Sequence, residues 1–343
     1  MKLIIQIPCL NEADTLPATL ADLPASVPGI DVIETLVIDD GSTDATVAVA
    51  KAHGVHHVIR FRRRKGLAAA FKAGIDECLR HGADVIVNTD ADNQYAGQHI
   101  SRLVAPLLAG EADIVIGDRQ IKELRHMSWH KKLLQRFGSW TVRQVSGTEV
   151  PDTTSGFRAY TRDAALRMTI VSDFSYTLES IIQAGKNRMA IAHVEVGTNA
   201  RTRPSRLFDN LFSYIKRSAA TIVRIYAMYE PLKIFTYVGS FIFLIGFAVS
   251  FRFLYVWMFG TAAEASGRVQ SLILAAMLMT VGFQIVMIGL VADVISGTRK
   301  LLEDLLYRVR SMEAREFRDA APPAADAAAR PPAPTGAGRA EDR

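Results

Sequence analysis

Two carboxylates spaced two residues apart, Asp90 and Asp92, stand in the stretch Val85-Ile86-Val87-Asn88-Thr89-Asp90-Ala91-Asp92-Asn93-Gln94. The apolar run before them reads as a buried strand. In extended backbone, residues i and i+2 point to the same side, so Asp90 and Asp92 can converge on one cation. Gln94 continues the alternation and offers a neutral oxygen. Hard oxygen donors suit Mg2+ or Mn2+, which keep bound water and take further ligands from a substrate's phosphates. An isolated Asp-x-Asp is also what an acidic helix-capping turn looks like, so the surroundings decide.

Those surroundings repeat strand and helix. Residues 3–8 form a strand ending at Pro8, followed by the loop Cys9-Leu10-Asn11-Glu12 and a helix over 14–23. Residues 35–40 form a second buried strand. Next comes the turn Gly41-Ser42-Thr43-Asp44, in which Ser42, Thr43 or Asp44 caps a helix over 45–53. A strand over 55–61 leads into Arg62-Arg63-Arg64-Lys65-Gly66, then a helix over 67–81 and the Asp-bearing strand over 84–89. These strands lack polar alternation, which predicts an α/β fold with a mostly parallel sheet covered on both faces. Ligands of such sheets bind beyond the carboxyl ends of the strands. Asn11 and Glu12, Asp39 and Asp40, and Asp90 and Asp92 all fall there and line one crevice.

A helix over 97–109 and a strand over 113–117 follow, the latter closing on Asp118 and Arg119. In residues 122–140, Lys131, Lys132 and Arg136 interleave with Trp129, Phe137 and Trp140, which suits a helix at a membrane surface. Residues 151–160 read as a turn and a return strand, and a helix over 175–185 and a strand over 189–196 complete a domain of residues 1–200. An amphipathic interface helix is expected over 201–232. The uncharged runs 234–251, extending to about 258 if Arg252 snorkels, and 269–292 each meet the roughly 20 residues needed to span a bilayer. They predict a transmembrane hairpin over 233–295, then a basic juxtamembrane helix over 296–318 and a disordered tail over 319–343. Arg217, Arg224 and Lys233 flank one end of the hairpin, and Arg299, Lys300, Arg308 and Arg310 the other. The positive-inside rule then puts both ends, the domain and the tail on the cytoplasmic side. Gly239, Gly246, Gly282 and Gly289, with Thr280 and Gln284, could pack between protomers, which leaves a homo-oligomer open.

The net charge of +5 is scattered over four short clusters, not gathered in one tract, so no nucleic-acid partner is expected. Cys9 and Cys78 have no CxxC or ligand partner, and no secretory leader pattern follows Met1. Both cysteines therefore read as core residues facing a reduced compartment. The histidines show no ligand spacing. Residues 62–65 are either a solvated loop or a contact for phosphate or anionic lipid.

Taken together, Pro8-Cys9-Leu10-Asn11-Glu12, Asp39-Asp40-Gly41-Ser42-Thr43-Asp44, Lys65-Gly66-Leu67, Asp90-Ala91-Asp92-Asn93-Gln94 and Thr154-Ser155-Gly156-Phe157-Arg158 resemble the family 2 glycosyltransferases of GT-A fold. More narrowly, the chain is similar to the polyprenyl-phosphate group, which includes dolichyl-phosphate-mannose synthase and GtrB-like enzymes. The resemblance covers roughly residues 3–230, and the trailing hairpin fits the GtrB-like members. It implies inverting, metal-dependent transfer of a hexose from a UDP- or GDP-linked sugar to undecaprenyl or dolichyl phosphate. The reaction would occur at the cytoplasmic face of the inner or plasma membrane.

By position, the resemblance puts Pro8, Asn11, Glu12 and Asp40 on base and ribose, with Lys65 and Asp90 also on the nucleotide sugar. It puts Asp90, Asp92 and Gln94 on Mg2+ or Mn2+. Arg119 would meet the acceptor phosphate, acting with Asp90 and Asp92 as the catalytic set, and Arg201, Arg203 or Arg206 would clamp the donor diphosphate. Arginine suits both phosphate tasks because its planar fork donates bidentately. Lys131 and Gln135 stand where the mannose synthases turn an Arg and a Ser toward the acceptor phosphate.

The acceptor chemistry bears on the base. A phosphate monoester, with a second pKa of about 6, is already largely ionised at neutral pH. A hydroxyl acceptor, on a glycerolipid or lipid-linked sugar, would need a general base such as Asp118 or Asp152. A processive polysaccharide synthase would carry Gln-x-x-Arg-Trp near the membrane, which is absent from this sequence. An inactive membrane anchor would not depend on Asp90 and Asp92.

Overall fold

The computed structural model describes residues 1–119, 142–143, 146–171, 176–199, 220, 223–224, 227–259 and 269–320. Lys131, Gln135, Arg201, Arg203 and Arg206 lie outside the described residues, as do most of the expected interface helix and the tail after 320.

The strands are β1 (Lys2–Cys9), β2 (Val32–Asp39), β3 (His57–Arg60), β4 (Val85–Asn88), β5 (Ile114–Asp118), β6 (Arg158–Thr161) and β7 (Ile191–Glu195). They form one sheet in the order β3-β2-β1-β4-β6-β5-β7. All pairings are parallel except those of β6, which runs antiparallel to both β4 and β5. The mostly parallel sheet and the return strand are thus both present. Helices α1 (Leu16–Ala21), α2 (Thr46–Ala52), α3 (Leu67–Arg80), α4 (Ile100–Leu108), α5 (Arg162–Arg167) and α6 (Tyr176–Lys186) surround it.

Alternation along β1 divides the core. Leu3, Ile5 and Ile7 pack with Leu16, Leu103 and Val104 on one face, and Ile4 with Phe71, Tyr160 and Tyr176 on the other. Burial on both faces is why these strands read as continuous apolar runs. Pro8 lies inside β1 and does not end it. The β1–β4 ladder stops at Gln6 and Asn88, so the missing proline N–H falls where that neighbour has already departed. Cys9 and Cys78 are buried free thiols, as expected, and burial pushes both pKa values up.

The expected alternation along the Asp-bearing strand is corrected. Strand β4 ends at Asn88, so Asp90 and Asp92 follow the strand in a turn and do not alternate along it. Helix α5 is an element the sequence reading did not contain. Its signals were local: Thr161 caps it by accepting from Ala164 N at 3.2 Å, and Asp163 lies in its first turn.

Helices α7 (Pro231–Phe259) and α8 (Val269–Ala320) form the hairpin. Both are long and apolar enough to cross a bilayer, and few of their apolar side chains are buried, unlike those of a soluble core. The four glycines that could have packed between protomers lie against the facing helix within the hairpin. A Cβ on Gly239 would stand 2.7 Å from the Gly282 carbonyl oxygen, and one on Gly246 would stand 2.9 Å from that of Ala275. Close backbone approach of this kind is what small residues permit between membrane helices.

The juxtamembrane helix expected over 296–318 is no separate element, because α8 runs through it without a break. Beyond the apolar span α8 docks on α3 and α5. Arg310 reaches the Met168 carbonyl at 2.7 Å and Asp76 at 3.2 Å, Tyr307 donates to Asp163 at 2.7 Å, and Arg162 donates to the Ala314 carbonyl at 3.0 Å.

Candidate functional site

The first corner of the crevice joins the loops after β1 and β2. Asn11 takes a left-handed φ of 55°, which asparagine tolerates. Its backbone N–H donates to Ser42 Oγ at 2.9 Å, and its Oδ1 accepts from Thr43 N at 2.8 Å. Glu12 N donates to Thr46 Oγ1 at 2.9 Å, and the Glu12 carboxylate accepts from the Thr15 hydroxyl at 2.6 Å. None of the three capping candidates is the N-cap of α2, which is Ala45 with no side-chain cap bond; Asp44, just before it, accepts from Thr46 N at 3.0 Å while also holding Ala13 N at 3.1 Å. Two loops far apart in sequence are thereby locked together.

Asp40 is buried, and its carboxylate accepts from the backbone N–H groups of Lys65 at 2.6 Å and Gly66 at 2.9 Å. It therefore ties the basic loop and the start of α3 to the end of β2. Gly41 has φ 78°, and a Cβ there would stand 2.8 Å from Arg63 C and Arg64 N. Only glycine lets the basic loop press this close. An open cleft of about 410 Å³ remains beside it, lined by Gly41, Ser42, Thr43, Arg60, Phe61 and Arg62.

The acidic corner lies next to it, where β1 and β4 are neighbours. Asp90 and Asp92 are both half-buried. Gln94 donates to Asp92 twice, from its backbone N at 3.2 Å and from Nε2 at 3.0 Å. These bonds orient Asp92 and engage only the nitrogens of Gln94, not the oxygen expected to serve as a third ligand. Across from Asp90 lies Gly156, where a Cβ would come within 3.0 Å of Asp90 Oδ1 and 3.1 Å of the Tyr176 hydroxyl. A buried polar chain fixes that approach. Gln6 Nε2 donates to Asn88 Oδ1 at 2.9 Å, and Asn88 Nδ2 donates to the Gly156 carbonyl at 2.7 Å and the Tyr176 hydroxyl at 2.9 Å. Burial, and then the charge of Asp90, push the Tyr176 phenol well up. Tyr176 stays a neutral hydroxyl beneath the carboxylate.

Arg119, at the end of β5, forks onto the fully buried Asp152, with Nε to Oδ2 at 2.7 Å and Nη2 to Oδ1 at 3.0 Å, and also donates to Thr154 Oγ1 at 2.9 Å. Asp152 accepts further from Thr154 N and Ser155 N. Burial would raise the Asp152 pKa, but the Arg119 charge and these bonds outweigh it and hold the carboxyl below its usual range. Arg158 is completely buried and donates to the carbonyls of Thr153, Ser155 and Thr177 and to Ser180 Oγ, pinning the 152–157 loop to α6.

The structure thus gathers Pro8, Asn11, Glu12, Asp40, Lys65, Asp90, Asp92, Gln94 and Arg119 at the carboxyl-end side of the sheet. Sequence reasoning missed Gln6, Asn88 and Tyr176; the first two were signalled by a polar residue in an otherwise apolar strand, whereas Tyr176 opens the mixed helix α6 and carried no such signal. The donor set fits a divalent cation: two half-buried carboxylates stand at the crevice, Asp92 held in orientation by Gln94 and Asp90 beside a glycine that puts no side chain in its way. No cluster of three or more acidic, His or Cys side chains occurs among the described residues.

The chain resembles known proteins along most of its length. Residues 4–168 match glycosyl transferase family 2, and residues 230–298 match the GtrB C-terminal hairpin. The polyprenol monophosphomannose synthase of Mycolicibacterium smegmatis is 34% identical over 169 residues, 47% of this chain and 62% of that protein. The undecaprenyl-phosphate mannosyltransferase of Micrococcus luteus is also 34% identical over 169 residues, covering 48% and 68%. The chain thus spans less than two thirds of the first of these relatives and slightly more of the second. The undecaprenyl-phosphate 4-deoxy-4-formamido-L-arabinose transferase of Sodalis glossinidius is 28% identical over 90% of this chain and 92% of that one. Among solved structures, glucosyl-3-phosphoglycerate synthase of Mycobacterium tuberculosis with Mn2+, UDP and glucosyl-3-phosphoglycerate superposes with a TM-score of 0.51 at 25% identity. It covers 65% of this chain and 79% of that one.

Proposed function

The chain belongs to glycosyl transferase family 2, and from that premise we propose that it transfers a hexose from a nucleoside-diphosphate sugar to a polyprenyl phosphate, with inversion, at the cytoplasmic face of a membrane. The observation that carries this reading is the Asp90–Asp92 corner, with Asp90 against Gly156, in a domain docked on the helix that continues the hairpin. The names of the relatives in mycobacteria, Micrococcus and Sodalis support the acceptor class. The flanking Lys and Arg residues support the cytoplasmic side.

In this reading the loops at Pro8, Asn11 and Glu12 and at Gly41 to Thr43 receive the base and ribose. Asp40 acts on the nucleotide indirectly, by holding the loop that carries Lys65. Asp90 and Asp92 would hold Mg2+ or Mn2+, with Gln94 orienting Asp92. A bound divalent cation would offset charge on the departing nucleoside diphosphate. A polyprenyl phosphate oxygen attacks the anomeric carbon from the face opposite the diphosphate. The bond to the diphosphate breaks, and a phosphodiester joins sugar and lipid.

No proton needs to be removed, because a phosphate monoester with a second pKa near ~6 is already largely ionised. Asp152 is unsuited to act as a base in any case, since a base needs a pKa near the working pH and Asp152 is held low by Arg119. Arg119 reaches the acceptor phosphate with whatever of its fork Asp152 and Thr154 leave, and those two partners position it. Arg201, Arg203 and Arg206, with Lys131 and Gln135, are assigned to donor diphosphate and acceptor phosphate by motif position alone.

The test is turnover by the full chain in lipid, using a panel of UDP- and GDP-sugars with Mg2+ or Mn2+, with and without polyprenyl phosphate. Glycolipid from one donor, dependent on metal and acceptor and lost in Asp92→Ala, supports the reading. Donor binding with product formed on a glycerolipid or lipid-linked sugar, and none on polyprenyl phosphate, replaces the acceptor. No donor binding at all removes the enzyme reading.

A further inference from the structure

The juxtamembrane half of α8 presents two different faces. Arg299, Glu303, Tyr307, Arg310 and Ala314 face the catalytic domain or the chain before α7, paired with Tyr229, Asp163, Asp76 and Arg162. The opposite side carries an exposed apolar stripe. Leu302 is 60%, Leu305 57%, Val309 50% and Met312 69% exposed. With Ile295 and Thr298, the stripe repeats at alternating steps of three and four, the a and d positions of successive heptads. Tyr307, Arg310 and Ala314 then fall at b and f, the outer face of such a coil. The docked catalytic domain therefore leaves the seam clear.

We propose that this stripe is the interface with a second copy of the same chain, whose α8 packs alongside as a parallel coiled coil. The inference rests on the membrane reading of the hairpin. The last uncharged span residue precedes Asp293, and at about 1.5 Å per residue Leu302 to Met312 lie roughly 14 to 29 Å farther along the helix. Even at the upper tilt of about 40° they stand about 10 Å or more beyond the hydrocarbon edge. A headgroup layer of about 5–8 Å does not cover them. The flanks also argue against lipid. Asp304, Glu313 and Glu316 alternate with Lys300, Arg308 and Arg315 on the exposed surface, whereas a helix lying on an anionic bilayer carries mainly Lys and Arg there.

A second copy supplies what the stripe needs. Two chains anchored in one membrane are parallel and at equal height, so each a or d residue meets its own counterpart. In that register Arg308 at g faces Glu313 at e of the next heptad in the other chain, an opposite-charge pair on the rim. The membrane glycines compete for no such role, being engaged inside the hairpin.

The experiment is cysteine cross-linking of the full chain in native membranes. Leu305→Cys and Met312→Cys test the seam. Asp304→Cys and Lys300→Cys, exposed but off the stripe, are controls, and the native Cys9 and Cys78 are buried. Oxidation should give a covalent dimer at 305 and 312 several-fold more abundant than at 300 or 304. Arg308→Glu should weaken the dimer bands, and adding Glu313→Arg should restore them.

Equal or absent cross-linking at 305 and 312, in protein retained after alkaline carbonate washing, overturns the seam alone. Quenching of a label at 305 by lipid-borne nitroxides, without cross-linking, overturns it in favour of the bilayer. Release of the chain by carbonate overturns the hairpin reading, and the proposal falls with it.

Discussion

Gly156 and Asp90 meet so closely that a Cβ on the glycine would stand 3.0 Å from one carboxylate oxygen and 3.2 Å from the other. The approach is enforced from below, because Asn88 holds the Gly156 carbonyl at 2.7 Å and the Tyr176 hydroxyl at 2.9 Å. The position of a charged, half-buried group is thus set by a residue with no side chain.

Gly156→Ala should leave the domain folded and move Asp90 by a few tenths of an ångström. A misplacement of about 1 Å costs on the order of 100-fold in rate, and a smaller shift should still cost about tenfold. Turnover together with Mn2+ affinity, measured by titration, checks this. Unchanged values for both would mean that the approach has no part in the site.

Gln94→Ala removes the amide that orients Asp92. Loss of such an outer partner typically weakens metal binding about 10- to 100-fold. The expected result is a raised metal requirement with maximal rate largely recovered at saturating Mn2+. A rate that no metal concentration restores would instead make Gln94 a direct contact to substrate.

Asp152→Asn leaves the Arg119 charge without its partner. Removing one member of a buried pair costs about 3–5 kcal/mol, and the smaller end applies because Arg119 keeps 20% of its side-chain surface. The pH dependence has a defined sign. The folded-state pKa of Asp152 is depressed below the unfolded value of about 3.9, so its stabilisation is complete above that pH and is lost as pH falls below it. Thermal melts of wild type should fall along that acid limb, and those of Asp152→Asn should fall less steeply. Parallel curves would show that the pair contributes nothing.

Gly239→Leu should separate α7 from α8, because the added side chain meets the Gly282 backbone. Over-packing of this size costs about 1–3 kcal/mol. The hairpin should then become sensitive to protease in detergent while the catalytic domain stays resistant. An unchanged digestion pattern would contradict the observed packing.

What the sequence made legible follows from range. The strand–helix units around the first four strands are written in local apolar runs, and the two spans in runs too long for anything else. The acidic corners were legible because each closes a strand. The buried chain from Gln6 through Asn88 to Tyr176 was not, because its members are 82 and 88 residues apart, Gln6 and Asn88 each alone look like a polar interruption, and Tyr176 merely opens a helix. Nor could the sequence show that the motif residue Asp40 is buried and grips backbone 25 residues away. The end of the second span was misread as an element boundary, because charge returns at Asp293 while the helix continues. Charge marks where a membrane ends, not where a helix does.

The central claim is tested most directly by the linkage in the product. With the donor that turns over and polyprenyl phosphate as acceptor, 31P and 1H NMR of the purified glycolipid should show a single phosphodiester between sugar and lipid. The anomeric configuration should be inverted relative to the donor. A glycoside on a hydroxyl, a retained diphosphate, or a retained configuration would contradict the account.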